Sequence, residues 1–140
     1  MKDHRFQHFT IRVGIQGFGV FATKNFKKGQ ILFKMRGKIY GSPTRTSVQV
    51  GKNKHIEDII AGHMNHHCQP NAKVYKGILS FVALRNISAG EEITFDYNQN
   101  EDQLAEPFMC ACCHRKILGK RVKKIIKSET KLAFVSDTIR

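Results

Sequence analysis

The chain has no tryptophan and only three prolines in 140 residues, and no stretch reaches the roughly 18 unbroken apolar residues that a membrane-spanning helix needs. Its opening residues, Met1-Lys2-Asp3-His4-Arg5, run into polar sequence and lack the apolar segment of a secretory signal. These absences lead us to expect a soluble intracellular chain. Acidic residues are also scarce, 11 against 24 Lys and Arg, for a formal charge of +13. Such a balance either keeps a small protein solvated or draws it to polyanions and to partners that sit on them. The recognisable nucleotide and hydrolase signatures are missing too. Gly17-Phe18-Gly19 is not followed by a third glycine and a helical pattern, no Gly-Lys-Ser/Thr closes a phosphate loop, and no His-Glu-x-x-His motif offers a hydrolytic zinc.

What the chain does have suits one compact domain. Its apolar fraction is 41% and it carries ten phenylalanines, enough for a core and too much for a disordered sequence. Of its four cysteines, Cys68 stands alone while Cys110, Cys112 and Cys113 crowd together. Neighbouring cysteines pair poorly with each other in disulfides, so reduced thiols, free or on a metal, are expected.

Short β-type runs dominate the first hundred residues, and long amphipathic helices are missing. Val20-Phe21-Ala22 and Ile31-Leu32-Phe33 flank the turn Lys27-Lys28-Gly29 and read as a β-hairpin. The unit recurs: Ala22 to Gln30 matches Ala83 to Glu91 in residue type at nearly every place, with Asn25 answering Asn86 and Gly29 answering Gly90. The second copy leads into Glu92-Ile93-Thr94-Phe95-Asp96-Tyr97, whose alternation puts two aromatics on one face. After Gly119 the run from Lys120 to Lys127 spaces its apolar residues as a short basic C-terminal helix would.

The densest chemistry lies in Asn65-His66-His67-Cys68-Gln69-Pro70-Asn71. Amide and imidazole groups in such a loop can read the edge of a heterocycle or fix a backbone carbonyl. A glycine pair such as Gly17 and Gly19 lets backbone approach a ligand closely.

Taken in order, Gly17-Phe18-Gly19, Asn65 to Asn71, and Gly90 to Tyr97 resemble the three signatures of the SET-domain protein-lysine methyltransferases. The stretch Ser47 to Gly51 followed by His55-Ile56 is also similar, and the likeness covers roughly residues 11 to 119. It implies a mainly β fold, a β-clip of small sheets with a knot-like crossing of the Asn-His and tyrosine segments. It also implies a division into an N-terminal flank (1–10), a SET core (11–106), a cysteine-containing post-SET-like segment (107–119) and a basic tail (120–140). By the same likeness, S-adenosylmethionine would lie against Gly17, Phe18 and Gly19, with Asn65 and His66 on its adenosine part and Phe108 over the adenine. Tyr97 matches the catalytic tyrosine. Phe95 matches a channel position held by Phe or Tyr, where Phe leaves room for di- or trimethylation.

The family's zinc segment, Cys-x-Cys-x-x-x-x-Cys, is only partly matched. Cys68, Cys110 and Cys112 fit, but the last position falls on Ile117, so Cys113 or His114 would have to substitute, or no metal is held. The resemblance implies a protein substrate with an exposed lysine, a histone or another basic, nucleic-acid-associated protein. The site of action would be nucleus or cytoplasm, or a host cell if the protein were a secreted effector. The rival reading is a catalytically silent SET-like module that binds nucleic acid or a protein partner.

Overall fold

The structure, a computed structural model, describes residues 3–120; the expected basic helix after Gly119 lies, apart from Lys120, outside the described residues. Twelve short strands form four small sheets, and the one α-helix among the described residues is four residues long. The first sheet joins β1 (Phe9–Gly14), β2 (Gly17–Ala22), β10 (Glu92–Phe95) and β7 (Asn65–His66) in that spatial order. A second holds β3 (Ile31–Lys34), β9 (Ser80–Ala83) and β8 (Ala72–Tyr75). A third holds β4 (Lys38–Tyr40), β6 (Lys54–Glu57) and β5 (Val48–Gly51). The last is the pair β11 (Phe108–Met109) and β12 (Lys116–Ile117). The tyrosine segment turns into α1 (Tyr97–Asn100) immediately after β10.

The expected hairpin between Val20 and Phe33 does not form, because β2 pairs with β1 and β10 while β3 pairs with β9. The two copies of the repeat bind each other instead. Phe26 and Ile87 exchange both backbone hydrogen bonds, at 2.8 and 2.9 Å. The Asn25 side chain accepts from the Ala89 N–H, and that of Asn86 accepts from the Lys28 N–H, at 2.8 and 2.9 Å. Both turns close on glycines at positive φ, Gly29 at 85° and Gly90 at 92°, a conformation in which a Cβ would be strained. The repeat is thus a pseudo-twofold clasp between segments 61 residues apart, in which each copy satisfies the other's loop amides.

β1 begins at Phe9, and Phe9 is fully buried, stacked on Phe26 with ring centroids 5.6 Å apart. A file of aromatic rings then runs through the core from Phe9 to Phe33, Phe81, Phe95 and Tyr97, each pair 4.7 to 5.2 Å apart. Packed rings at these distances bury large apolar area and hold each other's orientation. The file anchors Phe95 and Tyr97 rigidly at its far end.

Candidate functional site

β7 and β10 lie side by side in parallel, with Asn65 opposite Thr94 and His66 opposite Phe95. The loop after β7 extends this pairing through a side chain. Asn71 accepts from the Thr94 N–H at 2.9 Å and donates to the Glu92 carbonyl at 2.8 Å, replacing the strand partner that β10 lacks there. β10 ends at Phe95 because Asp96 caps the next turn, its carboxylate accepting from the Asn98 N–H at 2.9 Å. Tyr97 therefore starts a helical turn and does not continue the strand, yet its ring still packs on Phe95.

The Tyr97 backbone N–H donates to His66 Nδ1 at 3.0 Å. That bond makes Nδ1 an acceptor and leaves the ring proton of the neutral imidazole on Nε2, 3.4 Å from the Cys68 sulfur. Burial holds His66 below the ordinary imidazole value, with Asp96 pulling weakly the other way. The Tyr97 phenol donates to the Met64 carbonyl, so its oxygen keeps lone pairs for another group. Burial, then the nearby Glu101 and Glu92 carboxylates, push this phenol up, so it stays protonated at physiological pH.

These groups line a cavity of about 510 Å³. Of the residues singled out in the sequence, Gly17, Phe18, Asn65, His66, Phe95, Tyr97 and Phe108 all face it. Phe108 stands edge-on to both His66 and Tyr97, at 6.2 and 5.8 Å. Gly19 does not face it and has a different task. A Cβ there would lie 2.1 Å from a carboxylate oxygen of Glu92 and 2.8 Å from the Asn65 amide nitrogen.

Glu92 is a residue that sequence reasoning passed over. Its carboxylate accepts from the Asn65 Nδ2 at 2.7 Å and from the Ile15 N–H at 2.8 Å, tying the glycine turn to the Asn-His strand. Asn65 is left with its amide oxygen free among the described residues, ready to accept from a ligand N–H. A carboxylate set in an apolar strand and facing a glycine on the neighbouring strand was the signal available. Glu101 was also missed; it is 5% exposed and lines the same cavity.

Beside the cavity the four cysteines converge. Their sulfurs lie 3.8 Å apart for Cys68 and Cys110, 2.8 Å for Cys68 and Cys113, 3.1 Å for Cys110 and Cys113, and 3.9 Å for Cys112 and Cys113. Ligand atoms of His66, Cys68, Cys110 and Cys112 all fall within 4.8 Å of one another, so His66 joins the group of potential metal ligands. Backbone N–H groups of Cys68 and Arg115 point at the sulfurs of Cys112 and Cys110, each at 3.3 Å. Burial alone would raise the Cys110 thiol, but bonds from Cys113 and the Arg115 N–H bring it down to about 6. The turn that packs Cys112 next to Cys113 is completed by His114 in the left-handed conformation, φ 57°. No disulfide joins these thiols. Sulfurs on a tetrahedral zinc stand about 3.8 Å apart; the Cys68–Cys110 and Cys112–Cys113 separations match that edge, while those from Cys113 to Cys68 and Cys110 are shorter, so the fit lies in donor type and convergence. The donor set fits a tetrahedral metal.

The fold and the site place the chain in a known class. The model of the SET domain matches residues 17–98, more than half of the sequence, and the chain belongs to the SET-domain family. It is 30% identical over 129 residues to the histone-lysine N-methyltransferase, H3 lysine-36 specific, of Yarrowia lipolytica, covering 74% of this chain and 17% of that protein. Over an alignment of 53 residues that covers 31% of this chain and 13% of the other, it is 40% identical to the Xenopus laevis histone-lysine N-methyltransferase SUV39H1. Among solved structures it resembles KRYPTONITE in complex with mCHH DNA, an H3(1-15) peptide and SAH. That match has a TM-score of 0.60 at 18% identity and covers 78% of this chain and 29% of the other; it shows the fold. The chain spans 17% and 5% of the lengths of two of the curated relatives it matches, the second being the variant-silencing SET domain-containing protein of Plasmodium falciparum. Among the described residues, no helix is long and apolar enough to cross a membrane.

Proposed function

We propose that the protein transfers a methyl group from S-adenosylmethionine to a lysine side chain of a protein substrate, a histone or another basic protein. The observation that carries this reading is the Tyr97 phenol, oriented by the Met64 carbonyl at the wall of a cavity shared with Asn65, His66 and Phe108. The similarity to histone-lysine N-methyltransferases supports it.

When bound, S-adenosylmethionine supplies a methyl carbon activated by a sulfonium. The cavity suits such a ligand: it is large, has aromatic rings at Phe18 and Phe108, and offers the free amide oxygen of Asn65. Transfer to the lysine nitrogen would be an in-line displacement, so the task of the chain's own residues is to hold the amine in line with that methyl group. Positioning therefore supplies most of the acceleration. The attacking amine must first lose its proton, since an unperturbed lysine has a pKa of about 10.4. An apolar channel disfavours the ammonium form and helps that loss. Tyr97 serves here through its oxygen lone pairs, which align the amine and the polarised methyl C–H groups. Phe95 in place of a tyrosine leaves room for an amine that already carries methyl groups, so di- or trimethylation is the expected product.

Cys68, Cys110, Cys112 and Cys113 would hold one structural zinc, with His66 a neighbour whose Nε2, the nitrogen facing the sulfurs, carries the ring proton. The metal would fix β11 and Phe108 over the cavity and take no part in the reaction. Calorimetric titration with S-adenosylmethionine tests the cofactor assignment: Asn65→Ala should weaken binding at least about tenfold, and absence of binding by the wild-type protein would refute it. Mass spectrometry of basic proteins incubated with enzyme and cofactor then reads the product, 14 Da steps (roughly, per methyl) on lysine.

A further inference from the structure

A protein of charge +13 repels a basic substrate, so a carboxylate inside its cavity calls for an explanation. Glu101 is held there by a built network. Its Oε2 accepts from the Gln49 N–H on β5 at 2.8 Å and from the Asn100 side chain at 2.5 Å. The network is braced in turn by the Gln49 side chain, which donates to Asp102 and accepts from the Asp102 N–H. Among the described residues Oε1 accepts nothing, and it is not one of the side-chain atoms enclosed without a partner; only His55 Nδ1 is. Oε1 is therefore the carboxylate oxygen left for a partner, on a side chain that lines the cavity together with Tyr97 and Phe95.

We propose that Glu101 is a specificity-determining residue, whose free carboxylate oxygen receives a cationic side chain that neighbours the target lysine in the substrate. The inference rests on the lysine-methyltransferase reading and adds to it a substrate class, a lysine with a second base close by. The target amine itself is excluded as the occupant. It must be neutral to attack, and a carboxylate beside it would hold its proton. A neighbouring guanidinium or ammonium carries no such requirement.

The electrostatics agree. Burial raises the Glu101 carboxyl to about 6, against the Gln49 N–H and Asn100 bonds and the Lys76 charge, which lower it. The other charged or titratable groups facing it are Asp102 beside it and Tyr97 from α1. At the cavity rim an exposed ion pair, Arg45 with Glu106 at 3.5 Å, is open to exchange with a substrate base.

The test uses the full chain and neutral ten-residue peptides, each with one lysine and one arginine placed in turn at flanking positions. Each peptide is matched by one with citrulline, which keeps the shape of arginine and removes its charge. Peptide binding is read by fluorescence anisotropy and methylation by label transfer. At pH 7.5 the arginine peptide should bind about tenfold better than its citrulline partner at one flanking position, the scale of a hydrogen bond to a charged group. That ratio should shrink towards one as the pH falls through about 6, and in Glu101→Gln it should be close to one throughout. A ratio of one at every position in the wild type, or an unchanged ratio in a folded Glu101→Gln, overturns the proposal. The pH series on the wild type stands by itself should the variant fail to fold. Discrimination in binding without label transfer to any peptide would instead count against the methyltransferase reading.

Discussion

Asn71 offers the sharpest test of how the site is held, because it does not line the cavity yet secures β10. The side chain is 2% exposed and makes two hydrogen bonds with β10 backbone groups, one each way, at 2.8 and 2.9 Å. Asn71→Ala removes both partners at once and leaves the Thr94 N–H and the Glu92 carbonyl without them. Each net hydrogen bond is worth about 1 kcal/mol, and each stranded buried group costs a further 1–3 kcal/mol or so where water cannot replace its partner. The alanine methyl fills part of the space, so a loss of about 3 kcal/mol is expected. For a domain of this size that corresponds to a fall in Tm of roughly 10 °C, read by calorimetry. Because β10 carries Glu92 and leads into Tyr97, affinity for S-adenosylmethionine should fall as well. A Tm within about 2 °C of wild type, with cofactor affinity unchanged, would refute the claim that this side chain replaces a missing strand partner.

Three further outcomes follow from the same geometry. Chelation, or Cys68→Ser, should release about one equivalent of zinc per chain, read by metal analysis, and lower Tm by several degrees; a chain purified without metal and indifferent to chelators would contradict the four-thiol site. Phe95→Tyr should shift the product towards monomethyl-lysine by narrowing the channel, which intact-mass spectrometry would show as loss of the heavier species. Stability should also carry a signature of Glu101. Its carboxyl is raised from 4.5 to about 6, so the fold favours the protonated form, and stability from this group is full below pH 4.5 and declines as the pH rises through about 6. The decline is about 2 kcal/mol, and Glu101→Gln should flatten it in denaturant titrations run across that range.

Much of the cavity lining was legible because its parts are local. Gly17-Phe18, Asn65-His66 and Phe95-x-Tyr97 are each contiguous signatures, and the fold brings all three to one cavity. The convergence of Cys113 with the other thiols was left open by spacing alone, since only the left-handed turn at His114 shows how adjacent cysteines reach one point. The repeat was visible but its meaning was not. Local turn chemistry suggested a hairpin, whereas each copy spends its backbone bonds on the other, a long-range choice that no window of sequence reveals. Glu92 and Glu101 were missed for a related reason: a carboxylate's role depends on what faces it, and their partners Asn65, Ile15 and Gln49 come from distant segments. The turn into α1 could have been read from Asp96 itself, a residue type favoured at helix N-caps, but the strand-like alternation through Tyr97 overrode it.

The most direct test of the account is label transfer from S-adenosylmethionine carrying an isotopic methyl group, with core histones, nucleosomes and a lysate of basic proteins as acceptors. The wild-type protein should label a protein band on lysine, and Tyr97→Phe, which removes the hydroxyl but keeps the ring against Phe95, should bind cofactor and lose at least about a hundredfold in rate. Labelling that persists unchanged in Tyr97→Phe, or a wild-type protein that neither binds the cofactor nor labels any acceptor, would contradict it.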